Sequence, residues 1–322
     1  MKSAPLPDTA IADLRRCLFA WYEANRRDLP WRQNRDPYRV WLSEVMLQQT
    51  RVAAVLEHYQ QFLQRFPTIE KLARAREASV LAAWSGLGYY RRARMLHAAA
   101  KKIVRQGKGR FPASAQKLRE LPGVGRYTAA AIASIAFGEP VAVVDGNVER
   151  VLGRVAGKEL SGETVWRAAD ALLDRQRPGE FNQAMMELGA LVCLPRQPMC
   201  LACPIVAQCL TRGEGKKAGK EIRRKREVHY ALNRRNGSVL LVQRSRSASL
   251  MPGMWELPEI ASGASAAQIT LRHSITGTDY TVRVVENAGY GEIRGEWMAT
   301  SRLSRLPLTG LARKILRRSQ IF

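Results

Sequence analysis

The sequence predicts a mainly α-helical N-terminal region followed by a smaller α+β domain. Three observations support this prediction. Apolar residues recur at helical intervals from residue 10 to about residue 210, a basic segment follows, and β-like runs begin near residue 227. A chain of 322 residues is long enough to bury two hydrophobic cores. We therefore divide it into a helical region at 1–212, a basic linker at 213–226 and a domain at 227–322.

The helical prediction is clearest between residues 41 and 66, where apolar side chains recur at the spacing of one helix face. Prolines at 67, 112, 122, 140 and 178 mark the limits of further helices. The tripeptides Gly86-Leu87-Gly88 and Gly123-Val124-Gly125 each interrupt a helical segment. The region is therefore expected to contain helical hairpins with glycine turns.

The α+β prediction begins with Asn236-Gly237, a strong hairpin signal that separates two β-like runs within residues 228–244. The segment "TVRVVE" at 281–286 adds a strand, and "GLARKILRRSQIF" at 310–322 adds a closing helix. Strands mixed with a terminal helix indicate an independent α+β domain.

The charge balance points to a polyanionic partner. Lysine and arginine number 52 against 28 acids, a formal net charge of +24. An excess of this size favours nucleic acid. No apolar run approaches the roughly 20 residues of a membrane-spanning helix, and the first residues lack the apolar stretch of a signal peptide. We therefore expect an intracellular, cytoplasmic protein without a membrane partner, and a monomer.

Four cysteines share one short segment at 193–209, spaced C-x6-C-x2-C-x5-C: Cys193, Cys200, Cys203 and Cys209. In an intracellular protein such spacing favours metal ligands over disulfides or unconnected core cysteines. Zinc and a [4Fe–4S] cluster both take four cysteine ligands, and the spacing does not choose between them.

The turn in "LPGVGRYTAA" at 121–130 is suited to binding an anion. Its two glycines, Gly123 and Gly125, let the backbone approach a ligand closely, with Val124 between them. Backbone N–H groups at the start of the following helix then face outward, where they can bind a DNA phosphate. A plain helix-connecting turn is the alternative, and the net charge favours phosphate.

Two acids could cleave a glycosidic bond, a reaction that needs a carboxylic acid and a carboxylate. Asp145 follows an apolar run, and Asn147 could orient it. Glu44 is predicted to lie in a helix's first turn, after Ser43. Each also has a structural explanation, because Asp145 could cap a helix and Glu44 could complement a helix dipole. A base-removing enzyme would apply this chemistry to a flipped nucleotide.

The motifs together resemble the helix-hairpin-helix DNA glycosylases, and more narrowly the MutY adenine glycosylase family. The resemblance rests on the cysteine segment and on "DPYRVWLSEVMLQQTRV", "LPGVGRYTAAAI", "VVDGNVERV" and "FNQAMMELGALVC", and it runs from residue 29 to residue 209. It implies an enzyme that removes adenine mispaired with 8-oxoguanine or guanine in double-stranded DNA. It also implies that the four cysteines bind a [4Fe–4S] cluster.

The resemblance assigns catalytic roles. Glu44 matches the acid that protonates the flipped adenine, Asp145 the carboxylate that stabilises the oxocarbenium-like sugar, and Asn147 a residue that supports it. Tyr127 stands where the related endonuclease III branch has a lysine that forms a Schiff base, so the resemblance implies hydrolysis without strand cleavage. A bifunctional endonuclease III-like lyase and a non-catalytic iron–sulfur DNA-binding protein remain the alternatives.

Further positions match the family's binding residues. Gln49 and Tyr89 match residues that wedge into the duplex. The expected adenine pocket consists of Trp31, Arg32, Leu47 and Glu187, although Trp31 could be a core residue and Glu187 a solvated helix charge.

The C-terminal region, with "LLVQR" and "MPGMWELPE", resembles the family's Nudix-like domain. It lacks the acidic box of a Nudix hydrolase, so it should bind 8-oxoguanine without hydrolysing nucleotides. The expected lesion-sensing residues are His273, Ser274, Ile275 and Thr276, and Gly277 stands where many relatives have a histidine.

Overall fold

The computed structural model describes residues 6–213, 223–261, 267–275, 277–287 and 294–321. The chain divides into two compact units, each built from two segments. Unit 1 contains Met1–Gln49 and Lys102–Gly219, and unit 2 contains Thr50–Lys101 and Lys220–Phe322. Across the described ranges, no helix combines the length and apolar character needed to cross a membrane.

Unit 1 is helical. It contains the end of α6 together with α1 (Asp8–Asn25), α2 (Pro37–Leu47), α7 (Ala115–Leu118), α8 (Arg126–Phe137), α9 (Gly146–Val155), α10 (Glu163–Leu172) and α11 (Pro178–Leu191). Short 3-10 turns lie at Pro30–Arg32, Cys200–Ala202 and Val206–Gln208.

Small side chains set the helix packing of unit 1. The residues of α8 from Thr128 to Ser134 are all buried, and the helix packs between α2 and α11. Five of these seven residues are alanine or serine, so neighbouring helices approach closely. On α11, a Cβ at Gly179 would lie 2.6 Å from the Ser134 carbonyl oxygen. This packing brings α2, α8 and α11 together.

Unit 2 combines helices with two sheets. Its helices are α3 (Val52–Arg65), α4 (Ile69–Arg74), α5 (Glu77–Trp84), most of α6 (Arg91–Gly107) and α12 (Gly310–Arg318), with a 3-10 turn at Thr300–Arg305. Its strands are β1 (Arg224–Leu232), β2 (Arg234–Arg235), β3 (Ser238–Gln243), β4 (Trp255–Glu256), β5 (Glu259–Ile260), β6 (Ile269–Ile275), β7 (Thr278–Glu286) and β8 (Glu296–Ala299).

The first sheet has the order β5-β1-β7-β6, and the second has β2-β3-β4 with β8 paired to β3. β1 and β7 are parallel, with Tyr230 opposite Val284, and the other pairs are antiparallel. Both sheets contribute to one core: Val282 and Val284 from the first and Leu241 from the second pack with Ile315 of α12. The predicted mixture of strands and a closing helix is confirmed.

The Asn236-Gly237 hairpin is also confirmed. Both residues have positive φ, 47° and 69°, as a two-residue hairpin turn between β2 and β3 requires. The predicted linker at 213–226 overlaps β1, because residues 224–226 are already paired with residues 278–280 of β7. The boundaries of the two compact units differ from the predicted domain limits at 212 and 227. Those limits rest on the sequence and stay predictions.

The helical segment between residues 41 and 66 is two helices, α2 and α3. They are separated at Gln48–Arg51, where Gln49 has a φ of 56°. The apolar periodicity continues across this break, which explains why it gives no signal in the sequence. Both glycine turns lie between helices as predicted, the first between α5 and α6 and the second between α7 and α8.

Candidate active site

Glu44 is a buried carboxyl group on α2, with only 6% of its surface exposed. The helix begins at Pro37, where the Asp36 side chain accepts a hydrogen bond from the Arg39 backbone N–H. Glu44 therefore lies three residues before the helix ends at Leu47, and its predicted place in a first turn is wrong. The N-terminal helix dipole cannot account for an acid at this position.

Tyr127 holds this carboxyl group. It lies in the first turn of α8, and its hydroxyl donates a hydrogen bond of 2.6 Å to Glu44 Oε2. The same hydroxyl lies 3.5 Å from Met186 Sδ of α11. Burial, together with the carboxylates of Glu44 and Asp145, raises the pKa of Tyr127 well above its ordinary value. Tyr127 is therefore a neutral hydrogen-bond donor near neutral pH.

The environment of Glu44 tunes its proton affinity to neutral pH. Burial raises its pKa from 4.5 to about 7, and the charge of Asp145 contributes in the same direction. The hydrogen bond from Tyr127 and the charge of Arg32 oppose this rise. A carboxyl group with such a pKa carries a proton in a large fraction of molecules at neutral pH, as a general acid must.

Asp145 caps α9, as the structural alternative predicted. Its Oδ1 accepts a hydrogen bond of 2.7 Å from the Val148 backbone N–H. Its Oδ2 accepts a bond of 3.1 Å from Asn147 Nδ2, so the predicted orientation by Asn147 is present. The cap and the amide fix the carboxylate in one position, from which its charge acts on both Glu44 and Tyr127.

Asn147 is in turn tied to the cysteine segment. Arg150 Nη2 donates to Asn147 Oδ1 at 2.8 Å and to the Gly189 carbonyl at 2.7 Å, while its Nε donates to the Cys193 carbonyl at 2.8 Å. α9 and α11 are close here, because a Cβ at Gly189 would lie 2.7 Å from that of Asn147. A continuous set of hydrogen bonds thus joins Asp145 to the chain at Cys193.

The four cysteines are partly buried and form no disulfide. Arg154, itself only 8% exposed, donates to Cys193 Sγ at 3.2 Å and to the carbonyl oxygens of Leu194 and Pro195. Burial, and more weakly the other three thiols, raises the pKa of Cys203 to about 11. Within the described ranges, no three His, Cys, Asp or Glu side chains are gathered closely enough to hold a single metal ion.

Glu187 of α11 is buried and paired with two arginines. Its oxygens accept bonds of 2.6 and 2.8 Å from Arg27 and of 2.9 and 3.0 Å from Arg32. Burial opposes ionisation, but these hydrogen bonds outweigh it and lower its pKa to about 2. With 1% of its surface exposed, Glu187 is not a solvated helix charge. Trp31 is buried beside them in the turn Pro30–Arg32, and Leu47 is half-buried at the end of α2.

The chain is similar in sequence to known DNA repair proteins. Residues 42–168 match the HhH-GPD superfamily base excision DNA repair protein family. The chain is 48% identical over 217 residues to the adenine DNA glycosylase of Homo sapiens, covering 63% of this chain and 40% of the relative. It is 38% identical over 313 residues to that of Arabidopsis thaliana, covering 81% and 50%. The chain is thus similar to the adenine DNA glycosylases.

The chain spans half or less of the length of these two relatives. Among solved structures, a thermostable thymine-DNA glycosylase is similar with a TM-score of 0.60 and 28% identity, over 64% of this chain and 97% of that one. A trapped endonuclease III–DNA covalent intermediate has a TM-score of 0.55 at 23% identity, over 63% and 96%. The N-terminal region of this chain therefore has the mainly helical HhH-GPD fold, followed by a sheet-containing domain.

The glycine turn at 121–125 is open to solvent at both glycines. Gly123 has a φ of 74°, and Gly125 begins α8 without a side-chain cap among the described residues. A Cβ at Gly125 would meet nothing within 4 Å, so the protein itself does not require a glycine there. Val124 is buried and anchors the turn, its backbone N–H bonded to the Leu121 carbonyl. The N-terminus of α8 is accessible to an anion.

The two predicted wedge residues share an unusual backbone conformation. Gln49 is exposed with a φ of 56°, and Tyr89 is 49% exposed with a φ of 47°. Gln49 belongs to unit 1 and Tyr89 to unit 2. Both lie at helix breaks, where a side chain can project from the surface.

The predicted lesion-sensing residues lie on β6, apart from Thr276, which is outside the described residues. His273 pairs with Tyr280 across the strands, and Ser274 Oγ donates to Asp279 Oδ1 at 2.6 Å. Burial, together with the charge of Lys314, lowers the pKa of His273. Gly277, with a φ of 75°, lies in the turn to β7.

Several residues that complete the candidate site were not predicted from the sequence. Arg27 binds Glu187, Met186 contacts Tyr127, and Arg150 and Arg154 bind the cysteine segment. Each of these four contacts joins residues that are more than 35 positions apart in the sequence, so no local pattern indicates it. The only sequence signal is the i, i+4 spacing of Arg150 and Arg154 on α9, which places both on one helix face.

Proposed function

We propose that this protein is a monofunctional adenine DNA glycosylase that acts on double-stranded DNA. It would hydrolyse the N-glycosidic bond of adenine opposite 8-oxoguanine or guanine in base excision repair. The observation that carries the proposal is the buried Glu44 carboxyl group, bonded to Tyr127 and close to Asp145. The similarity to curated adenine DNA glycosylases supports the choice of base.

The reaction would begin with adenine flipped out of the duplex. Protonated Glu44 gives its proton to adenine N7, and the C1′–N9 bond breaks with its electron pair leaving on the base. The capped Asp145 carboxylate faces the positive charge that develops on the sugar. Water then adds to C1′ and gives its proton to the Glu44 carboxylate. The products are free adenine and an abasic site, and Glu44 is protonated again.

Tyr127 supports hydrolysis without a lyase step. A lyase attacks the sugar with an amine, which forms a Schiff base, and a phenol cannot do so. Its hydroxyl instead donates to Glu44, so its role here is to hold the acid. The bifunctional lyase is therefore the weaker candidate.

Zinc and a [4Fe–4S] cluster both take four cysteine ligands, and the resemblance of the cysteine segment to that of the adenine glycosylase family favours the cluster. Cys193, Cys200, Cys203 and Cys209 would hold it, and Arg154 would donate to the Cys193 sulfur. When bound, the cluster would supply a redox-capable cross-link within the segment.

DNA would contact the protein at the glycine turn and the wedge residues. The α8 N-terminus would bind a phosphate, and Gln49 and Tyr89 would enter the duplex. Residues 1–212 would form the catalytic region, and residues 227–322 a Nudix-like domain. In that domain, His273, Ser274, Ile275 and Thr276 would inspect the base opposite the adenine.

One gel tests the proposal. The protein is incubated with a duplex that carries adenine opposite 8-oxoguanine and is labelled on the adenine strand, and half the sample is then heated in alkali. We expect strand scission only after alkali, because an abasic site remains intact until then. Scission without alkali, or a covalent adduct trapped by borohydride, would favour the lyase.

Glu44→Gln is the matched variant. It keeps the shape of the side chain but cannot donate the proton, so base release should fall by roughly 10²–10⁴-fold. Duplex binding should survive. Intact strands with wild-type protein in both halves would favour a non-catalytic DNA-binding protein.

A further inference from the structure

The segment Ser85–Tyr90, called here the wedge turn, carries Tyr89 on the surface of unit 2. The Tyr89 ring is half exposed, and its φ of 47° lies in the left-handed region. A non-glycine residue persists in that conformation only where neighbouring groups hold it. The contacts of the wedge turn therefore decide where the Tyr89 side chain points.

The C-terminal region provides the most distant of these contacts. The Leu308 carbonyl oxygen accepts hydrogen bonds from Ser85 Oγ at 2.7 Å and from Tyr90 Oη at 3.0 Å. Arg313 of α12 donates from Nε to Ser85 Oγ at 3.0 Å. Ser85 and Tyr90 are 1% and 3% exposed, so their two bonds to Leu308 are buried, and the bond from Arg313 is partly buried. Both ends of the wedge turn are thus bonded to the segment 308–313.

The opposite sides of the wedge turn are held by α3 and α6. His58 Nε2 lies 3.1 Å from the Ser85 carbonyl oxygen, and a Cβ at Gly86 would approach that nitrogen to 2.8 Å. Arg92 Nη2 donates to the carbonyl oxygens of Leu87 and Gly88. The Arg92 guanidinium also lies 5.5 Å from the Tyr89 ring centroid. These contacts fix the middle of the turn, and the C-terminal segment fixes its ends.

We propose that Arg313 is a positioning residue for Tyr89. Arg313 holds Ser85 against the Leu308 carbonyl, and this contact keeps the Tyr89 side chain in the position from which it enters the duplex. The inference rests on the proposed function, in which Tyr89 wedges into DNA. It makes the C-terminal domain responsible for the pose of a DNA-contacting side chain on a helical hairpin far away in sequence. The domain would then contribute to base extrusion as well as to inspection of the opposite base.

A second contact joins α6 to the C-terminal region of the chain without involving the wedge turn. Arg94 of α6 donates to the Pro252 carbonyl at 2.5 Å and to Glu77 at 3.0 Å. If Arg313, like Arg94, only attached the C-terminal region to the helices of unit 2, the effect of removing Arg313 on base release would not depend on Tyr89. The test must therefore separate attachment from positioning.

The first measurement is amide hydrogen exchange of the DNA-free protein. Arg313→Met removes the donor to Ser85 and keeps the apolar stem. Arg318→Met is the matched control, because Arg318 is exposed on the same helix and no bond to the wedge turn is described for it. We expect amides within residues 86–90 to exchange about tenfold faster in the Arg313 variant, the effect of losing one buried hydrogen bond. Unchanged exchange there would overturn the lock.

The second measurement is a double-mutant cycle with Tyr89→Ala. The duplex carries 2-aminopurine beside the target adenine, so its fluorescence reports unstacking while single-turnover base release reports catalysis. If Arg313 acts through Tyr89, Arg313→Met as a single substitution lowers both the fluorescence change and the rate of base release by about tenfold. In a protein that already carries Tyr89→Ala, it has little further effect. Additive losses would contradict positioning.

Two further arms keep the outcomes distinct. Tyr90→Phe removes the other hydroxyl donor to Leu308 and keeps the buried ring, so it should give a smaller change in the same direction. It serves if Arg313→Met melts too early to be measured. If the wild-type protein releases no adenine, the proposed function fails, and hydrogen exchange still decides whether Arg313 locks the wedge turn.

Discussion

Burial raises the pKa of Glu44, and one neighbouring hydroxyl group, that of Tyr127, opposes this rise. Because the bond from Tyr127 lowers the pKa of Glu44, Tyr127→Phe should raise that pKa above its present value of about 7. Glu44 acts as an acid only when protonated, so activity falls as pH rises through this pKa. The alkaline limb of the kcat profile should therefore move to higher pH, by about one to two units for one hydrogen bond to a charged group.

The matched control for this profile is Tyr59→Phe, which alters a buried tyrosine on α3 in the other unit. Its alkaline limb should stay in place. A limb that moves to lower pH in Tyr127→Phe would show that the hydroxyl does not stabilise the Glu44 carboxylate.

Ionisation of the buried Glu44 carboxyl group should destabilise the folded protein at alkaline pH. Its folded pKa of about 7 lies above the ordinary 4.5, so the folded protein binds more protons than the unfolded chain between these values. Stability from Glu44 is present below pH 4.5 and is lost as pH rises through 7. By pH 8 the loss should approach roughly 3 kcal/mol in the free energy of unfolding.

Glu44→Gln removes this titration. Urea unfolding should therefore find the variant more stable than wild type at pH 8, with a difference that shrinks towards pH 5. A difference independent of pH would mean that Glu44 does not titrate between those values in the folded protein.

Sequence motifs were enough to name the candidate site residues, but not the contacts between them. Glu44, Tyr127 and Asp145 stand in recognisable motifs, yet the Glu44–Tyr127 bond joins positions 83 residues apart. Arg27 was not predicted for the same reason, because it and its partner Glu187 are 160 residues apart in the sequence. The predicted helix position of Glu44 was wrong because the start signal at Asp36-Pro37, an N-cap residue followed by a proline at the first helical position, was not used.

At the scale of elements, the close packing of α9 against α11 positions Asn147. Gly189→Ala places a Cβ 2.7 Å from that of Asn147, so one of the two helices must move. Overpacking of this kind should destabilise the protein by roughly 1–3 kcal/mol and lower base release, because Asn147 orients Asp145. Thermal melting and single-turnover assays measure the two effects.

Gly107→Ala is the matched control, because a Cβ at this helix position on α6 meets nothing within 4 Å. It should be neutral or slightly stabilising. Equal losses in both variants would show that helix flexibility, and not the α9–α11 contact, is the cause.

The cysteine segment should hold iron and not zinc. Purified protein should be yellow-brown, and metal analysis should give about four irons per chain. Cys200→Ser should lose the colour and loosen the segment, whereas Cys17→Ser, at a cysteine on α1 outside the segment, should keep it. Colourless protein with one zinc per chain would contradict the cluster.

Elements with strong local signals were predicted well, and those set by tertiary contacts were not. Asn236-Gly237 fixes its hairpin by backbone conformation alone. The break between α2 and α3 carries no glycine or proline, and residues 224–226 read as linker because every one is basic. They form a strand because β7 offers a parallel partner more than 50 residues away.

At the scale of the whole molecule, a net charge of +24 makes phosphate neutralisation the expected main source of duplex affinity. This property was fully predictable, since it is a sum over the sequence and needs no contact. If about 6–10 phosphates are neutralised, raising salt from about 50 to 200 mM should weaken binding to undamaged duplex by roughly 10³–10⁵-fold. Fluorescence anisotropy with the Glu44→Gln variant measures this without turnover. The preference for a mismatched duplex over an undamaged one should change far less, because flipping and base contacts release few ions. A preference that fell as steeply as the affinity would place the discrimination in phosphate contacts and not in the buried site around Glu44.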